Sequence, residues 1–177
     1  MKSLFAIFIF TVLLCGCKPS SSTQAPPTNL KPVAGAFGLK LGEKIPEGFE
    51  FDDSALKKKM EPFIHFNADT TEDGRICCLS AIGATEYESD ASDCKKRLIS
   101  VLTEKYGLRQ QNPKDYRNVE EYDFGTDDRS AHLKIIEGKS FYLDFYDKNL
   151  RHIYFDEQDS KKAKEDADKK AALSKGL

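Results

Sequence analysis

The chain has no excess of charge of either sign. Its 27 lysines and arginines stand against 29 aspartates and glutamates, a formal net charge of -2 over 177 residues. With a pI of about 6.0, no bulk electrostatic case for nucleic-acid binding exists. Long apolar runs are also missing. The apolar stretch Leu4–Leu14 covers 11 residues, broken only by Thr11, whereas a bilayer core of ~30 Å needs ~20. Together with a mean hydropathy of -0.53, this excludes a multi-span membrane protein. The short signatures of common chemistries are absent too: C-x-x-C, H-x-H, H-E-x-x-H, G-x-S-x-G, a phosphate loop and a dinucleotide fingerprint. What remains is a chain long enough for one domain, with 40% hydrophobic residues to build a core.

The first 17 residues read as an address. Lys2 gives a short positive region, Leu4–Leu14 fits the apolar part of a signal peptide, and Leu14-Cys15-Gly16-Cys17 follows. This tetrapeptide resembles the lipobox of bacterial lipoproteins. The resemblance implies cleavage after Gly16, a diacylglyceryl group on the Cys17 thiol and often an acyl chain on its new amine. Cys15 fits worse, because Leu14 would stand where a small residue is needed. Two or more chains anchor firmly, each buried methylene contributing ~0.8 kcal/mol. Residue 18 is lysine. An aspartate there would, by family analogy, retain the protein in the inner membrane. Lysine therefore points to the outer membrane, facing the periplasm, if the cell is Gram-negative.

Four segments follow: a signal peptide over 1–16, lipidated Cys17 with a flexible tether to 33, an α+β domain over 34–155 and a charged helical tail over 156–177. The tether is rich in Pro, Ser and Thr and has one large apolar residue, Leu30, too little to fold on. Phe37, Leu39 and Leu41 alternate as one face of a first strand, and Ser54 opens a short helical turn to Lys59. Phe63–Phe66 and Arg75–Ile82 predict an N-terminal hairpin. Their loop, Asn67 to Gly74, starts like a calcium loop at Asp69 but has Ser80 where a bidentate glutamate belongs.

Ser89–Tyr106 is the best helix, capped by Ser89, Asp90 or Ser92. It carries an apolar stripe of Ala91, Cys94, Leu98, Val101, Leu102 and Tyr106, and Gly107 ends it. Beyond Pro113 the period becomes two. Val119–Phe124, Ala131–Ile136, Phe141–Tyr146 and Leu150–Phe155 predict an antiparallel meander of about four strands. Phe141, Leu143 and Phe145 face a core that the main helix covers. The fold class is thus α+β, an antiparallel sheet under one main helix, with a charged C-terminal helix. A glycine-bounded first strand, a helix closing on Lys105-Tyr106-Gly107 and a charged tail resemble small bacterial lipoproteins in general layout. That similarity carries no site residues.

Cys77, Cys78 and Cys94 remain in the domain, and an exported, oxidising compartment favours disulfides. Cys94 lies on the helix stripe, while Cys77 and Cys78 point to opposite faces of a strand. One bridge from Cys94 to Cys77 or Cys78 is expected. Cys78 is favoured for its more apolar neighbours, which leaves one free thiol. His65, His132 and His152 fall in separate strand candidates with no ligand spacing, so no metal site is expected. The acid pairs Asp52-Asp53, Glu120-Glu121 and Asp127-Asp128 have no companion feature. Nine aromatics crowd the last third of the folded region: Tyr116, Tyr122, Phe124, Phe141, Tyr142, Phe145, Tyr146, Tyr154 and Phe155. Half should fill the core. Tyr142, Tyr146 and His152 form the candidate binding face. The expected function is a lipid-anchored cell-envelope module without cofactor or catalytic residues. It would bind a protein or cell-wall partner as inhibitor, immunity factor or assembly accessory. An envelope hydrolase is the alternative.

Overall fold

A computed structural model describes residues 29–52, 56, 60–112 and 118–175. The signal peptide, Cys15, Cys17, most of the tether, most of the short turn at Ser54–Lys59 and Tyr116 lie outside the described residues. Among the described residues the named elements run in order: β1 Gly35–Ala36, β2 Leu39–Lys40, β3 Phe63–Thr70, β4 Ile76–Ala84, α1 Glu88–Tyr106, β5 Leu108–Asn112, β6 Val119–Gly125, β7 Arg129–Ile136, β8 Ser140–Asp147 and α2 Lys148–Lys175. β1 and β2 pair as a small hairpin, and the other strands form one antiparallel sheet in the order β3-β4-β8-β7-β6-β5. The fold is α+β, as the periodicities imply.

Alternation in β8 sets the two faces. Phe141, Leu143 and Phe145 are buried and join Leu133, Ile135, Phe124 and Leu79 in the main core. Helix α1 closes this face with Ala91, Cys94, Leu102 and Tyr106 buried and Leu98 half-buried. Val101, at the margin of the stripe, is 53% exposed. The helix begins one residue before Ser89, with Tyr87 as its cap residue and no side-chain cap bond, so Ser89 and Asp90 lie inside the first turn. Gly107 ends it at φ 79°, and its N–H donates to Thr103 O. A side chain there would press on Asn29 O at 3.0 Å. The chain before the expected domain start is packed here: Lys31 N–H donates to Tyr106 O, Val33 N–H donates to Arg129 O, and Val33 is fully buried.

Three expectations are corrected. The first strand is instead a hairpin: Phe37 sits in the turn at φ 55°, and its ring meets Phe66 and Phe145 edge-on at 5.0 and 5.6 Å. The meander does have four strands, but β5 supplies the fourth and Leu150–Phe155 is helical. The cause is Asp147. Its Oδ1 accepts the N–H groups of Asn149 and Leu150, which caps α2, and its Oδ2 takes Arg129 Nε at 2.9 Å. Leu150 and Tyr154, one turn apart, then pack on the sheet face opposite α1.

The third correction concerns the cysteines. All three domain thiols are free, and Cys78 and Cys94 pack in different clusters. A β-bulge explains why. Asp69 pairs with Cys78 and Thr70 with Ile76, so Cys77 is an extra residue and the parity of β4 flips across it. Ile76 and Leu79 both face α1, whereas Cys77 and Cys78 both pack with Leu150 of α2. Cys78 therefore points away from Cys94.

Asp147→Ala removes a cap and strands Arg129. It should lower stability by about 2 kcal/mol, read as a lower urea midpoint, with loss of helical circular dichroism before global unfolding.

Candidate functional site

The α2 cap turns the chain sharply after β8, so the first turns of α2 lie against the end of that strand. A groove of about 500 Å³ opens there, lined by Tyr146, Lys148, Asn149, Arg151, His152 and Phe155. Two of the three candidate binding residues, Tyr146 and His152, thus come together. Tyr142 does not line the groove. It lies further back on β8, opposite Ile82 and Lys134. The Arg151 guanidinium covers the Tyr146 ring at 4.8 Å and the Phe155 ring at 5.6 Å, a cation over two π faces. His152 is 81% exposed, with Nε2 3.7 Å from Asp156 one turn on. Arg151 and Lys148 are not among the sequence candidates, because Leu150–Phe155 reads as a strand and Lys148 as part of the connection before it. Helical spacing from the Asp147 cap was the signal for them.

A second cluster occupies the open face of the sheet. Ser80, Asp144, His132 and Asp123 stand directly opposite one another on β4, β8, β7 and β6. His132 Nδ1 bonds Asp123 Oδ1 at 2.8 Å, and its Nε2 lies 4.0 Å from Glu121. Glu120, the neighbour of Glu121 in the sequence pair, points the other way. There it receives Lys95 Nζ at 2.6 Å and the Tyr122 hydroxyl at 2.8 Å. The cluster lies on a sheet surface, outside the β8–α2 groove. Ser80, the nearest hydroxyl in the row, is one strand beyond Asp144, and its Oγ lies 3.5 Å from Cys78 Sγ. Hydrolysis by a histidine-activated serine needs direct contact, which this spacing denies. His65 on β3 and His152 on α2 lie apart from His132, and among the described residues no group of three or more potential ligands converges on a metal position.

The hydrogen bond shifts the titration of both partners. The hydrogen bond to Asp123 raises the His132 pKa above 6.5 against the opposing effect of burial, with further support from the charges of Asp123, Glu121 and Asp144. The same bond lowers the Asp123 pKa below 3.8, helped by Arg109. Lys134 Nζ lies 3.9 Å from Glu121 Oε1.

A third feature lies at the opposite end of the sheet, between the first half of α1 and the start of β3. It is a groove of about 780 Å³ with Phe63, Ile64 and Cys94 in its wall. Two backbone devices shape it. Gly83 lets β3 approach β4 closely, since a Cβ there would sit 2.6 Å from Phe63 Cα. A second bulge, with Phe63 opposite Gly83 and His65 opposite Ile82, makes Ile64 the extra residue, 44% exposed at the groove. The Cys94 pKa is raised by burial, although Arg97 beside it works the other way, so this thiol has no thiolate character to suggest catalysis. Cys77 and Cys78 are each pushed up to about 11, chiefly by burial.

Compared with known protein families, curated proteins and solved structures, the chain matches none. The site readings therefore rest on geometry alone.

The His132–Asp123 pair gives a pH signature. The histidine's contribution to stability is complete below pH 6.5 and is lost as pH rises through its raised folded value. The aspartate's contribution is present above pH 3.8 and is lost as pH falls through its depressed value. The urea midpoint should thus fall between pH 6 and 9, and His132→Gln should flatten that fall. An unchanged slope in the variant would show that other groups carry it.

Proposed function

We propose that the protein is a lipid-anchored cell-envelope module. It binds a protein or cell-wall partner without catalysis, as an inhibitor, immunity factor or assembly accessory. The anchoring half of this reading rests on the lipobox resemblance at Leu14-Cys15-Gly16-Cys17. With lysine at position 18, its place is the outer membrane facing the periplasm in a Gram-negative cell. The membrane contact is the lipid on Cys17. No helix among the described residues is long and apolar enough to cross a membrane.

One observation carries the binding half: the groove at the β8–α2 junction, where Arg151 lies over Tyr146 and Phe155 beside Lys148 and His152. A mainly apolar trough with a few convergent polar groups is the usual form of a recognition site. Aromatic and arginine side chains are those that most often dominate interface energetics. Its cations suit an acidic or hydroxyl-rich partner surface.

The alternative, an envelope hydrolase, draws on the convergence of Glu121, Asp123 and Asp144 near His132. It is the weaker reading, because the cluster is spread on a sheet face and lacks an adjacent nucleophile.

Radiolabelled palmitate should label the wild type and not Cys17→Ala; normal labelling of that variant refutes the anchor. Cross-linking in cells followed by pull-down should recover one stoichiometric partner. Tyr146→Ala or Arg151→Ala should reduce its yield severalfold, while His132→Ala should leave it unchanged. The reverse pattern would favour the sheet-face cluster.

A further inference from the structure

We infer that the groove between α1 and the start of β3 is a docking site for a basic peptide segment of a partner protein, with lysine or arginine set beside aliphatic residues. This inference is independent of the lipid anchor and of the groove at β8–α2.

Charge complementarity selects the occupant. Glu61, Glu86, Asp90 and Asp93 line the groove against one cation, Arg97. That cation is engaged within the wall: its Nη2 donates to Glu61 O at 2.8 Å and lies 3.5 Å from Cys94 Sγ. Of the four carboxylates, Asp93 has Lys96 at 3.5 Å, an exposed pair that competes weakly in water. A net negative trough persists.

Four further observations point to a peptide and not to a bare cation. The groove's volume of about 780 Å³ falls within the ~300–1,000 Å³ typical of ligand sites. Its walls include apolar surface from Pro62, Phe63, Ile64 and Ala84. Ile64 and Tyr87 are 44% and 65% exposed at its edge, offering an aliphatic contact and a ring for a lysine or arginine stem. The Oγ1 of Thr85, another lining residue, is shut off from solvent and has no hydrogen-bond partner. Such an atom ordinarily finds one. Gly83 lets β3 lie close on β4, the bulge sets Ile64 at the groove, and the groove is open without a ligand.

The test uses the full chain in detergent and a fluorescein-labelled Leu-Lys-Leu-Arg-Leu amide, read by fluorescence anisotropy. Saturable binding that weakens with salt is expected. Glu86→Gln with Asp90→Asn should weaken it about fivefold or more, the sum of two modest charge contacts. Glu165→Gln, the same kind of neutralisation far along α2, should leave it unchanged. A matching peptide with Gln in place of Lys and Arg should not bind, which checks the charge requirement without altering the protein. No binding, equal binding of the Gln peptide, or equal loss in Glu165→Gln overturns the proposal. Binding that emerges only after Lys57, Lys58 and Lys59 are replaced by alanine also overturns it, because it would give the groove to the chain's own lysine run.

Discussion

Strand β8 is paired along most of its length on both sides, to β4 and to β7. A strand in that position cannot rotate or slip without breaking two ladders at once. Its alternation is therefore imposed on the whole molecule. Phe141, Leu143 and Phe145 define the face that needs α1 as cover. Tyr142, Asp144 and Tyr146 define the other face, on which the histidine–carboxylate row and the start of α2 are arranged. The last residue of the strand, Asp147, couples the two by holding Arg129 of β7 while capping α2. Recognition surfaces on the second face inherit their rigidity from the packed first face.

The parts legible in the sequence were those whose own composition specified them. The sides of β8 differ in polarity at every step, and α1 carries its apolar stripe with a glycine directly after it. Elements defined by their neighbours were not legible. β5 reads Leu-Arg-Gln-Gln-Asn, with one apolar residue, and it is a strand because β6 offers it a ladder. Leu150–Phe155 has the β-branched and aromatic residues of a strand, but the carboxylate before it satisfies helix N–H groups, and that local bond decided the outcome. Val33 belongs to the core because the end of α1 and β7 provide partners for the backbone around it.

Candidate sites followed the same division. Tyr146 and His152 could be named from residue type, whereas the Arg151 contact needed the correct helix. The bridge expected between Cys78 and Cys94 failed on a single inserted residue. Parity arguments hold only while both strands advance together, and Cys77 breaks that step. The inserted Ile64 does the same at the other end of β3, which is why neither the α1 groove nor its acidic rim could be assembled from spacing. Both bulges lie at the junction of an edge strand with its neighbour, where one unpaired residue disturbs the ladder least.

The Cys77 bulge has one further consequence. It gathers two adjacent thiols under Leu150 and Tyr154, with both pKa values near 11. While α2 is docked, these sulfurs are almost entirely protonated at neutral pH and out of reach of solutes. Their chemistry with oxidants or alkylating agents is thereby gated by the departure of a helix and not by the intrinsic reactivity of sulfur. Alkylation of the pair would therefore report local opening of the first turns of α2.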